Sequence, residues 1–492
     1  MTPLWIGIHL PQLPLETMLR GSPSPEAWAV AEHDRILLPD RKAQARGVRT
    51  GMLSTAALAL APQLRIRARD AAAETESLLG IAAWAAQFTP SVALEFPDAL
   101  LLEVSASLKL FGGLEKISAA LRAGLLELGF AAALAAAPTA RAAAWLARTV
   151  SPRPPGKPAP VTPSITTPEA LRTAIASLPV SLLRGKADLP EALANLGLAT
   201  LGELLALPRD GLARRFGQRL LDQLDQAFGD LPDPRIFFAV PARFHAGIEL
   251  PAEVTQAEAL LFAGRRLLAQ LSGFLTARSG GVQRFRFSLS HREGRGTDID
   301  VGLVAPARDA DHFALLLRER LGKLALREPV RSLSLHAEDI QPLAGANRSL
   351  LPDDKAAAAA SEWPHLIERL RARLGTQAVH AIAVAPEHRP ENASCPVEHQ
   401  GKQQGDKQLQ FSFGERPFWL LDAPRALPEK NAVPQHNDGP LTLLAGPERI
   451  ESGWWDGGDV KRDYFIARTP RDALVWVYRE RQSGWYLHGI FS

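Results

Sequence analysis

The chain has 492 residues, 46% of them hydrophobic and 22% charged, enough apolar content for three to five globular modules and too much for one domain. No run of about eighteen apolar residues occurs, and residues 1–10 lack a basic segment followed by a small-residue cleavage site. Membrane insertion and export are therefore not expected, and a cytoplasmic location is. The single cysteine, Cys395, lies among Asn, Ser and Pro in an expected loop and excludes an internal disulfide framework or a Cys-based zinc cluster. A net charge of +3 suits a nucleic-acid binder without requiring one.

Residues 5–10 form a short apolar run bounded by Pro11 and Pro14, the pattern of a buried strand that leaves its sheet at a proline. Helical patterns rich in Ala and Leu cover 54–60, 71–88, 114–128 and 139–148, and 91–104 reads as two strands around a turn at Pro97-Asp98. The first 150 residues are thus mixed α/β. The run of prolines from Pro152 to Pro163 marks a linker over 151–167. Residues 168–235 read as short helices, with leucines at 193, 196, 198, 201, 204 and 205 and then an apolar residue every fourth position from Leu212 to Phe228.

From 241 to 342 the period alternates between helix (257–276, 310–324) and strand (282–291, 299–304, 330–337), giving helices on a sheet. In 343–415 an Ala-rich stretch at 355–361 precedes a helix at 364–374, and the polar segment 387–415 is expected to be mobile. Residues 441–492 alternate like strands and contain Trp454, Trp455, Trp476 and Trp485, the mark of a folded β-rich module. The expected fold class is α/β multidomain with that β-rich module at the C-terminus.

Several segments resemble Y-family translesion DNA polymerases, and in the family's order. They are residues 5–16, Arg46-Gly47-Val48-Arg49-Thr50-Gly51-Met52, Phe111-Gly112-Gly113, and residues 196–204. Four others are similar to the ImuB branch: residues 9–14, Glu387-His388-Arg389-Pro390-Glu391, residues 416–421, and residues 446–456. The resemblance implies a right-hand architecture. Palm and fingers would occupy 1–150 (fingers 14–75), a helix-hairpin-helix thumb 168–235, an α+β little finger 241–342, a clamp-contact linker 343–415 and a partner-binding module 416–492.

Nucleotidyl transfer needs two metal ions held about 4 Å apart by carboxylates. The resemblance puts Gly7 and His9 where active members carry two first-strand Asp residues, and Asp98-Ala99 where they carry an Asp-Glu pair. Glycine offers no oxygen, and one carboxylate cannot hold two hard cations against water. No metal, no cofactor and no catalysis are therefore expected. By residue type alone, His9 reads as a strand histidine, Asp98 after Pro97 as a turn residue and Glu103 as a solvated strand position. Triphosphate contacts are replaced too, by Arg41, Gln44 and Ala144. The alternative is a divergent polymerase using Asp98 and Glu103.

The strand at 282–291 sets Phe285, Phe287 and Leu289 on one face and Arg284, Arg286, Ser288 and Ser290 on the other, with Arg292 continuing the polar row. Taken alone this is an exposed sheet face; the resemblance implies a DNA-backbone contact. Arg214, Arg215 and Arg219 surround Gly217 in a hairpin of the kind that holds phosphate at a helix start. The family's other thumb hairpin has its counterpart at residues 184–188. The resemblance further implies a clamp contact at Asn347, Leu350 and Leu351, and a partner surface at Trp454 and Trp455. The function it implies is a non-catalytic accessory factor. That factor would link damaged primer-template DNA, the sliding clamp, the RecA-like ImuA and the error-prone C-family polymerase ImuC.

Overall fold

A computed structural model describes residues 3–21, 24–151, 165, 167–184, 189–292, 296–324, 326, 328–343, 355–375, 378–385, 387–397, 416–480 and 484–491. The chain forms two compact units, residues 1–373 and 374–492.

The first unit opens with β1 (Trp5–His9) and α1 (Leu13–Leu19), whose Pro14 sits in the first helical turn, where a missing N–H costs nothing. A small sheet follows, built from β2 (Trp28–Glu32), β3 (Arg35–Pro39) and β4 (Arg65–Ala68) around α2 (Arg41–Ala45) and α3 (Ser54–Leu60). Next come α4 (Ala71–Ala85), β5 (Val92–Glu95), β6 (Ala99–Glu103), α5 (Leu108–Phe111), α6 (Leu114–Leu128), β7 (Ala133–Ala137) and α7 (Ala140–Thr149). The main sheet runs β5-β6-β1-β7, antiparallel throughout.

Strand alternation divides this sheet's side chains. Ile6, Ile8, Leu100 and Leu102 pack with Leu78, Ile81, Ile117 and Leu121 of α4 and α6. Leu101, Ala135 and Ala137 share a second core with the alanines of α7, and Gly7 and His9 point to this same side. The second core continues into α8 (Pro168–Ala176), α9 (Leu189–Ala194), α10 (Leu201–Leu205), α11 (Arg209–Phe216) and α12 (Gln218–Phe228). Thr200 and Glu203 close a capping box at the start of α10.

Beyond it stand β8 (Phe244–Val254), α13 (Ala257–Ala277), β9 (Gly280–His291), β10 (Thr297–Ala307), α14 (Ala310–Leu321), β11 (Val330–Ala337), β12 (Ile340–Pro342) and α15 (Lys355–Leu374). The sheet runs β10-β9-β11-β8, with β12 added to β9. Phe285, Phe287 and Leu289 are buried against Leu267, Phe274 and Phe313 of α13 and α14, so helices cover one face of this sheet. The helix expected at 364–374 is in fact one helix from 355 that runs through Pro364. The alanines before the proline are strong helix formers and outweigh the single lost hydrogen bond.

In the second unit β13 (Ala381–Val384) pairs with β14 (Ser394–Val397). Cys395 therefore lies on a strand and not in a loop, because its segment supplies the ladder partners of Ala381 to Val384. Part of the segment expected to be mobile is likewise folded. Residues 387–397 form a short 3-10 turn and β14, and the guanidinium of Arg389 is held by Glu387 and Asp456. Strands β15 (Trp419–Leu427), β16 (Glu429–Lys430), β17 (Val433–His436), β18 (Gly439–Pro440), β19 (Thr442–Ser452), β20 (Val460–Arg468), β21 (Leu474–Glu480) and β22 (Gly484–Ile490) follow. The five long ones form one antiparallel sheet, β15-β22-β21-β20-β19, with Trp485 and Trp476 in two small cores.

Candidate nucleic-acid interface

The strand position at which the resemblance places a metal ligand of active polymerases is filled by protein. Gly7 pairs with Leu101 on one side and Ala135 on the other, and α7 crosses directly over it. A Cβ at residue 7 would lie 2.6 Å from the carbonyl carbon of Ala143, inside any allowed contact. Ala144, at the expected lysine position, is buried in the same helix.

Two residues further along the strand, His9 Nε2 stands 3.3 Å from Asp98 Oδ2, and Arg148 of α7 donates to Asp98 Oδ1 at 2.7 Å. Burial pushes the Asp98 carboxyl upward, but the His9 hydrogen bond and the Arg148 charge outweigh it and hold it below the usual carboxylate range. The surviving carboxylate thus has a permanent cation, a guanidinium, as its partner. Glu103 is not a solvated strand position: its Oε1 accepts the Leu4 and Ser105 amides at 3.4 and 3.1 Å. It also lies at the far end of β6 from Asp98, roughly 16 Å away at ~3.3 Å per residue, so the two cannot share a metal ion. In the small sheet Gln44 donates to the Pro39 carbonyl at 2.9 Å and Arg41 is exposed.

The polar row of β9 lies on the open face, as its alternation requires: Arg284, Arg286 and Ser290 are exposed and Ser288 half-buried. It is not a bare cationic row. Asp300 pairs in register with Arg286 and Asp298 with Ser288. Arg286 Nε donates to Asp300 at 2.9 Å, and Ser288 Oγ to Asp298 at 2.6 Å. On the other side His336 faces His245, Nδ1 to Nδ1 at 3.0 Å, and burial followed by the neighbouring His245 depresses the His336 pKa. Arg292 lines a polar cleft of about 560 Å³ together with Arg67, Arg331, Glu249 and His291. Arg67 and Arg331 escaped the sequence reading because they come from two other strands.

Between α11 and α12 the chain turns at Gly217 with φ +89°, a conformation that favours glycine. Arg214 and Arg215 end one helix, Arg219 begins the next, and all three are exposed. Among the described residues none of the three makes an ion pair. No side chain caps the start of α12, so its first N–H groups are available to an anion. Arg184 is turned away, toward Glu95 at 3.1 Å and the Phe96 carbonyl at 2.9 Å. Residues 185–188, and Asn347, Leu350 and Leu351, lie outside the described residues.

In the second unit the segments around 387–391, 416–421 and 446–456 come together. Arg389 Nη2 reaches Asp456 at 2.5 Å, Ser452 Oγ reaches Glu387 at 3.0 Å, and Arg416 pairs with Glu448. Hydrogen bonds from Arg389 push the Glu387 carboxyl down to about 2. This polar node holds the turn that carries Trp454 and Trp455, which remain 78% and 57% exposed. The two rings meet edge to face at 5.5 Å, and the Arg389 guanidinium lies 5.9 Å from the Trp455 ring centre.

An antiparallel sheet with helices behind it, a helical module and a second helix-backed sheet follow one another in the order that the resemblance to Y-family polymerases implies, with additional β-rich sheets at the C-terminus. In agreement, residues 20–148 match the IMS family, impB/mucB/samB. That match spans the motifs at 46–52 and 111–113 that resemble Y-family polymerases. Over 469 residues it is 29% identical to Protein ImuB of Caulobacter vibrioides strain NA1000 / CB15N, a match that spans 91% of this chain and all of that protein. Protein ImuB of strain ATCC 19089 / CIP 103742 / CB 15 matches to the same extent. Among solved structures, a ternary complex of Dbh is 15% identical with a TM-score of 0.37. A post-insertion binary complex of Dbh DNA polymerase is 15% identical with a TM-score of 0.38. Each covers 69% of this chain and all of its own.

Proposed function

We propose that this chain is a non-catalytic DNA-binding accessory factor of error-prone translesion synthesis. The observation that carries the reading is the closure of the metal position: Gly7 is walled by Ala143, and Asp98 is occupied by His9 and Arg148. Nothing there can clamp the attacking and leaving oxygens of a nucleotidyl transfer.

In this reading residues 1–150 serve as palm and fingers, 168–235 as thumb and 241–342 as little finger. Thumb and little finger grip a damaged primer-template. The hairpin at Gly217 and the cleft lined by Arg67, Arg292 and Arg331 supply phosphate contacts, Arg284 adds one from the open sheet, and Arg286 acts less strongly because Asp300 neutralises it. Residues 343–415 would reach the sliding clamp, with Asn347, Leu350 and Leu351 as contacts. Residues 416–492 would present Trp454 and Trp455 to ImuA or to ImuC, the polymerase that performs the synthesis, since exposed tryptophans make strong interface anchors. The similarity to Protein ImuB along nearly the whole chain supports this assignment.

Primer extension with the purified chain, on intact and lesion-bearing templates with Mg²⁺ or Mn²⁺, tests it. The expected result is no incorporation alongside DNA binding that weakens steeply with salt. Incorporation that disappears in Asp98→Ala would overturn it.

A further inference from the structure

Away from these surfaces, α14, α15 and the outer strand β10 bring together a ligand set that the sequence scatters over more than fifty residues. His312 of α14 is 9% exposed and Glu368 of α15 is 4% exposed, with His312 Nε2 2.5 Å from Glu368 Oε2. His365, one turn before Glu368 on the same face of α15, is exposed and stacks on His312 with ring centres 4.0 Å apart. One donor atom from each of the three lies within 4.8 Å of the other two. The second carboxylate oxygen of Glu368 accepts the Val304 backbone N–H at 2.6 Å. That bond fixes the carboxylate's orientation and leaves Oε2 directed at the imidazoles.

We infer that His312, His365 and Glu368 form a binding site for a zinc-class divalent ion. Two imidazoles and a carboxylate are a recognised three-ligand zinc set that leaves a fourth position for water, and the Val304 amide supplies the outer support such ligands need. Tetrahedral zinc spaces its donors roughly 3.4 Å apart. The present arrangement reaches that spacing by opening the His312–Glu368 contact about 1 Å and turning the exposed His365 inward. A buried carboxylate against two close imidazoles is where a divalent cation replaces a hydrogen bond with stronger partners. The ion would fasten α15 to the sheet, because Ala372, one turn beyond Glu368, already packs in the same core.

The experiment strips the full chain with a chelator and titrates it with Zn²⁺ and with Co²⁺ as a spectroscopic stand-in. Expected are one ion per chain, visible ligand-field absorption of a tetrahedral cobalt site, and at least tenfold weaker binding in His365→Ala and in Glu368→Gln. His365 is exposed, so its variant tests ligation without disturbing the fold. His245→Ala, at the other close histidine pair, should bind as the parent does. Absence of the cobalt band, or a Zn²⁺ affinity unchanged in His365→Ala, would overturn the site.

Discussion

At residue 7 the absence of a side chain is a packing requirement. The Ala143 carbonyl occupies the volume a Cβ would need, and α7 is locked by Ala142, Ala143 and Ala147, all buried. Gly7→Ala should therefore destabilise the first unit by about 2–3 kcal/mol as an overpacked core, read as a lower midpoint in thermal or urea unfolding. A midpoint equal to the parent's would mean that α7 yields easily and that the site is only loosely closed. Asp98 shows the same economy, since its retained carboxylate joins β1 to α7 through His9 and Arg148. The resemblance marked Gly7, His9 and Ala99 as departures from a metal site. Arg148 was not legible there, because fifty residues separate it from Asp98 and only the fold brings a guanidinium to that carboxylate.

Among the elements, charge is distributed differently from what a single strand suggests. In β9 the alternation was readable and correct, with Phe285, Phe287 and Leu289 buried and the arginines outward. The acidic partners were not, because Asp298 and Asp300 are set against Ser288 and Arg286 by strand register, which a sequence does not display. In the hairpin of α11 and α12, Arg214, Arg215 and Arg219 make no ion pair among the described residues, whereas Arg209 is tied to Asp225. Replacing Arg214, Arg215 and Arg219 by Gln should lower the slope of log affinity against log salt by roughly 2.7 for three phosphates on duplex DNA, measured by fluorescence anisotropy. Arg286→Gln should change the slope by less than one unit, and Asp300→Asn should tighten binding. Equal losses from the two sites would refute this ranking. Strands β2, β3, β4, β7 and β8 were missed in the sequence. The alanines of β7 carry no strand preference of their own, and their burial between β1 and α7 decides the matter.

For the whole molecule, the division after residue 373 separates the residues proposed to hold DNA and the clamp from those proposed to hold ImuA and ImuC. A chain ending at Arg373 should keep DNA affinity within about threefold of the parent and lose capture of ImuA and ImuC. The full chain with Trp454→Ala and Trp455→Ala should lose the same partners with its DNA binding and unfolding midpoint unchanged. Partner capture by the shortened chain would place that surface in the first unit. The segments by which the C-terminal region resembles its relatives are distant in sequence yet meet around Arg389 and Asp456, so their pattern records a shared polar node. The close approach at Gly7 also has an evolutionary consequence. A lineage that regained an acidic residue there would strain β1 against α7 before gaining any activity, and useful chemistry would further require Arg148 to withdraw and other carboxylates to arrive. Each single step back is penalised by packing, so the loss of catalysis proposed above would behave as a ratchet that holds without continued selection against activity.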